Sequence, residues 1–179
     1  MSSPSNQPQY QIRFDWGPAG AAAIVPGAHV LVWVDALTTA LAPDPLQVRH
    51  DGAVLAGTVG NCHEIAAWVL DRQAELGDRV TVAVVAAGAD GGGFAVEDLL
   101  AAGAVIDALA EVGIDYISPE AAAAVGAFVG LRNATSHVLS ASVTGQKIIA
   151  LHGREFVDEA REANSQPSLH VLREFTPRA

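Results

Sequence analysis

Four acidic side chains stand where an α/β protein could use them for chemistry: Asp35, Glu97, Asp98 and, further off, Asp158. Asp35 ends the apolar run His29-Val-Leu-Val-Trp-Val-Asp35. Glu97 and Asp98 follow a second run, Arg79-Val-Thr-Val-Ala-Val-Val-Ala-Ala-Gly88, and the turn Asp90-Gly-Gly-Gly-Phe94. Continuous β-branched runs read as strands buried on both faces, and open α/β sheets bind ligands beyond the carboxyl ends of such strands. Hard oxygen ligands in that arrangement suit magnesium, which keeps several waters and takes only a few carboxylates. The same acids have a plainer use. Acids in a first helical turn stabilise the macrodipole, and an Asp after a strand caps a helix or holds a turn. Spacing alone leaves both readings open.

Other chemistries find less support. The six histidines include no pair at the spacing that puts two metal ligands on one helix face, and Cys62 is the single cysteine, which argues against zinc. A lone cysteine forms no internal disulfide and fits a reducing cytoplasm. Cys62 beside His63 invites a cysteine-nucleophile reading, but neighbouring side chains on a helix point apart, and a structural thiol is the expectation. The glycines of 88–93 do not fit the dinucleotide fingerprint. No Walker-type Gly-Lys-Ser/Thr occurs, and the only lysine, Lys147, stands in no phosphate-binding motif. A formal net charge of −10 with 10 scattered Lys and Arg opposes a nucleic-acid partner. Apolar runs fall short of membrane-spanning length, and the first residues lack a basic region followed by an apolar one, so neither a membrane nor a secretion route is expected.

The elements that must position these residues follow from pattern. Residues 1–9 read as a mobile polar tail and 10–179 as one domain. Alternation predicts a strand over 10–16, Pro18 opens a short helix to Ile24, and strands follow at 29–35 and 53–57. Asn61 and Glu64 resemble a capping box at the start of a helix that runs to Leu76. After the strand ending near Gly88 comes a helix over 96–110. Ser118-Pro119-Glu120 then starts another, which runs to about Arg132. Thr135 to Leu151 reads as one helix weakened at Gly145, with Gly153 its stop. Glu155 to Asn164 is a charged helix, and Leu169 to Phe175 a final strand. The fold class is α/β, three-layered, with a mostly parallel or mixed sheet and helices on both faces.

Phe14-Asp-Trp-Gly-Pro-Ala-Gly20, the strand end Val34-Asp35-Ala-Leu37, Ala87-Gly88 and Glu97-Asp98-Leu-Leu-Ala-Ala-Gly103 resemble the ComB family of 2-phosphosulfolactate phosphatases. Gly145 through Gly153 to Asp158 is similar to that family's closing motif. The resemblance implies magnesium-dependent hydrolysis of the phosphate ester of a sulfonated lactate, a small phosphorylated acid. It makes Asp35, Glu97 and Asp98 the catalytic and metal-binding set, and Thr38, Thr39, Asn61 and Gly88 the substrate-binding set. A homodimer is the default assembly. Two departures stand out. The family's arginine after Asp-x-Leu is replaced by Thr38, and the segment between Ala42 and Asp51 is short. They motivate a second expectation, a ComB-like shell that binds rather than catalyses. A cysteine hydrolase of the isochorismatase type is a distant third, because Lys147 follows Cys62 instead of preceding it.

Overall fold

The computed structural model describes residues 3–39 and 42–174. Met1, Ser2, Ala40, Leu41 and residues 175–179, with Phe175 of the expected last strand, lie outside the described residues. Within them the chain forms the strands β1 (Ile12–Trp16), β2 (Val30–Val34), β3 (Ala53–Gly57), β4 (Val82–Ala86) and β5 (His170–Arg173). These make one sheet in the order β1-β4-β2-β3-β5. The first four strands are parallel, with Val32 paired to both Val84 and Leu55, and β5 closes the β3 edge antiparallel. Every residue of β2 and β4 is buried, which is why their sequences are apolar without alternation.

Seven α-helices complete the described chain: α1 (Gly17–Ile24), α2 (Cys62–Leu76), α3 (Val96–Glu111), α4 (Pro119–Leu131), α5 (Thr135–Ala141), α6 (Val143–His152) and α7 (Arg154–Ser165). On one face, Val32, Val34, Leu55 and Val84 pack with Ile65, Val69, Val105 and Leu109 of α2 and α3, and with Ala121 and Ala124 of α4. On the other, α1 covers Leu31, Trp33, Ala83 and Val85 through Ala21 and Ile24, with Val25 and Val48 packed beside it. Helices α5 to α7 belong to neither layer. Their Leu139, Ile148 and Val157 bury Ala36 and Leu37 just past β2, so the three helices form a cap at the carboxyl end of the sheet. The expected α/β architecture with helices on both faces is what the structure has.

Four local expectations change. Residues 3–9, read as tail, are anchored: Gln7 is buried and its amide exchanges hydrogen bonds with the backbone of Phe14, at 2.8 and 3.0 Å. The helix over 135–151 breaks at Ser142 rather than Gly145. Ser142 is extended, ends α5 and caps α6 by accepting from the Gly145 amide at 3.0 Å. Asn61 precedes α2 but its side chain makes no cap bond. The last strand is limited to His170–Arg173 among the described residues. By contrast Ser118 and Pro119 start α4 as read, with the Ser118 hydroxyl accepting from Ala121 N.

Gly103 sets the approach of α3 to α4. A methyl there would lie 2.2 Å from the Ala124 carbonyl oxygen and 2.7 Å from Phe128 Cβ. Gly103→Ala is therefore expected to destabilise by about 1–3 kcal/mol through overpacking, although alanine is the better helix former. Chemical denaturation would read the loss; a gain in stability would show that the helices separate freely.

Candidate active site

Asp98 is the best-held acid in the molecule. It stands in the first turn of α3, 3% exposed, and both of its oxygens are occupied by backbone. The Ala36 amide, just past β2, donates to Oδ1 at 2.8 Å, and the Gly88 amide, just past β4, donates to Oδ2 at 2.8 Å. Burial pushes its carboxyl up to about 7; Asp35 and Glu97 add to the shift, and the two amides oppose it. Asp35 lies at the carboxyl end of β2, partly exposed. Burial raises its pKa, Leu37 N–H and the Thr38 hydroxyl pull it back, and Glu97 pushes it up again. Glu97 is 4% exposed, and its Oε2 is buried without a hydrogen-bond partner among the described residues. An orphaned buried carboxylate oxygen is costly unless something absent from the bare chain completes it.

These three acids line one side of a cavity of about 480 Å³ beyond the sheet. Gly88 and Thr39 line it with them, while Thr144, Lys147 and His152 of α6 form the opposite wall. Gly88 has φ +74° in a loop that also holds Asp90, Gly91 and Gly92 at positive φ, and a side chain there would strike the Gly93 carbonyl at 2.4 Å. The structure thus brings together Asp35, Glu97, Asp98, Gly88 and Thr39. It places the others elsewhere. Thr38 lines a neighbouring cavity and donates to its own turn, the Asp35 carbonyl, at 3.2 Å. Asn61 is fully buried outside this cavity. Its Oδ1 accepts from Thr58 N at 2.9 Å and its Nδ2 donates to Ala56 O and Ser168 O, at 3.1 and 3.0 Å. It ties β3, α2 and the chain before β5 together.

Asp158 lines a second cavity, of about 510 Å³, which Glu97 also lines, and it pairs with Arg161 at 2.5 Å. Cys62 is buried and desolvation pushes its thiol up, the reverse of an activated nucleophile. Sequence reasoning missed Lys147, which the fold brings to the cavity wall, with its ammonium 3.4 Å from Asp90 Oδ2. Helical spacing puts Thr144, Lys147, Ile148 and Leu151 on one face of α6, and all four line the cavity, but spacing marks the face and not what it meets.

The donor set fits a hard divalent cation. The oxygens are carboxylate, Glu97 raises the proton affinity of Asp35 and both raise that of Asp98, and Glu97 Oε2 is unpartnered among the described residues. No group of three His, Cys, Asp or Glu among the described residues forms a ready cage. Magnesium needs none, since it binds through one or two carboxylates and retains water; Asp35 and Glu97 are the two carboxylates that could hold it, with both Asp98 oxygens taken up by the strand ends behind them.

A mostly parallel sheet, covered on both faces, with an acid-lined cavity beyond its central strands is the layout of an α/β protein that handles a small ligand. The family model for 2-phosphosulpholactate phosphatase matches residues 22–174, and the chain belongs to that family. The match spans β2 through β5 and every acid of the cavity. No curated protein matches the chain. No helix among the described residues is long and apolar enough to cross a membrane.

Asp98 also gives the stability a pH dependence. Its folded pKa, about 7, lies above the unfolded value of 3.8, so the folded state binds the proton more tightly. Its contribution is complete below the unfolded value and is lost as pH rises through about 7. Denaturation in chelator across that window is expected to show wild type weakening relative to Asp98→Asn. The substituted amide cannot titrate, although the change itself costs about 1–3 kcal/mol by setting an NH₂ group against a backbone N–H. Parallel pH profiles would remove Asp98 as the source.

Proposed function

We propose that the protein is a magnesium-dependent phosphatase acting on a small phosphorylated acid, 2-phosphosulfolactate or a near relative. Membership of a phosphatase family supports phosphoric monoester hydrolysis. The observation that favours a metal is Glu97, a carboxylate 4% exposed with Oε2 unpartnered, beside Asp35 in the same cavity. Magnesium, when bound, would supply positive charge to phosphoryl oxygens and lower the pKa of nearby water. Asp35 and Glu97 would hold it. Asp35, the more accessible of the two, also takes a proton from the attacking water. The water oxygen bonds to phosphorus as the ester P–O bond breaks, and the proton passes to the departing alkoxide. The Thr39 hydroxyl and the backbone around Gly88 orient the phosphate. Thr38 acts through Asp35, and Asn61 fixes the chain segments beneath the site. The single free cysteine suits the cytoplasm as the place of action.

A second reading, binding without catalysis, draws on one observation: both Asp98 oxygens are already engaged by backbone amides, so the carboxylates open to a metal reduce to Asp35 and Glu97. One experiment separates the two. Phosphate release from 2-phosphosulfolactate is expected in magnesium, abolished by chelator and lowered on the order of a hundredfold in Glu97→Gln and in Asp35→Asn. Full activity in both variants removes these residues from the mechanism. No magnesium binding by calorimetry together with no turnover across a panel of phosphate esters displaces the first reading with the second.

A further inference from the structure

The cavity is graded in charge from floor to rim. Glu97 and Asp98 are 4% and 3% exposed, whereas the Lys147 side chain is 58% exposed and that of its partner Asp90 is 87% exposed. Lys147 is the only lysine in the chain. It and His152 are the basic side chains lining a cavity whose other charged walls are Asp35, Asp90, Glu97 and Asp98. An ion pair as exposed as Lys147 with Asp90 holds weakly and exchanges readily, so an ammonium that lines the cavity is free to change one anion for another.

We propose that Lys147 binds substrate and determines specificity: its ammonium leaves Asp90 for the carboxylate or sulfonate of a phosphorylated acid whose phosphate lies deeper, at Asp35 and Glu97. The site then selects phosphate esters that carry a second anionic group. A monoanionic or apolar ester engages the floor and leaves the rim cation with Asp90. The orientation rests on the phosphatase reading above; the rim cation itself does not.

The test compares kcat/KM for 2-phosphosulfolactate with that for phenyl phosphate, which lacks a second anion, in magnesium. Lys147→Met is expected to lower the ratio of the two by about tenfold or more, through KM for 2-phosphosulfolactate. Lys147→Arg, which keeps the charge, is expected to retain most of it. A ratio unmoved in Lys147→Met overturns the proposal. If wild type ignores phenyl phosphate, KM for 2-phosphosulfolactate decides alone: a rise upholds the assignment and an equal value overturns it. If wild type hydrolyses neither ester, the phosphatase reading falls and calorimetry with 2-phosphosulfolactate judges Lys147. Binding weakened about tenfold in Lys147→Met upholds its role, and equal or undetectable binding in both proteins overturns it.

Discussion

The carboxylate of Asp98 is the constraint on which the site is built. Parallel strands present their terminal amides at one end of the sheet, and beyond that end each strand must leave its ladder in its own direction. By accepting from Ala36 N and Gly88 N together, Asp98 fixes where β2 and β4 let go and sets α3 squarely behind them. Asp35 and the Gly88 turn are thereby aimed at one volume, and Glu97, one residue away, is forced into the same buried environment. A neutral clamp could join the same amides. A carboxylate joins them and brings a titrating group into the core, so the hold on the two strand ends is coupled to a proton.

The cap of α5, α6 and α7 supplies the other half. It rests on a small cluster, Leu139, Ile148 and Val157 against Ala36 and Leu37, next to the large cores on the faces of the sheet. Asn164 pins it, its Nδ2 donating to Ala36 O at 2.7 Å, while the Gly60 amide donates to the Asn164 carbonyl at 2.8 Å. The residues that line the cavity therefore divide between the ends of the sheet and a wall that rests on a small cluster. Elements with few buried contacts open at lower free energy than the core, which suits the wall of a site that must admit and release a charged ligand.

Much of this was legible in the sequence because it is decided locally. Apolar runs of strand length are strands when both faces are covered, and the Ser118-Pro119 start of α4 is cap chemistry complete within four residues. The acids at Asp35, Glu97 and Asp98 were legible as candidates, since strand ends and helix starts are the positions where an α/β sheet gathers side chains. What was not legible depends on distance along the chain. Asn61 looks the same whether it caps α2 or reaches Ser168, 107 residues on, and the structure shows the second. Ser142 reads as a helical residue until its extended backbone breaks the helix. Lys147 has no motif around it and meets the cavity only because the cap folds over the sheet.

The loop that follows β4 carries positive φ at Gly88, Asp90, Gly91 and Gly92, and Gly92 abuts Gly17 so closely that a methyl on Gly17 would lie 2.6 Å from its Cα. Such a segment has almost no freedom to vary: three of its positions admit only glycine without strain, and the fourth tolerates aspartate better than most residues. New ligand preferences can therefore scarcely arise from this side of the site. Thr144, Lys147 and Leu151 on α6 are less constrained, since a helical backbone accepts most side chains there without altering its path. The two sides of the cavity thus differ in what substitution can do to them: the loop after β4 is held by its backbone, whereas the exposed face of α6 is open to change.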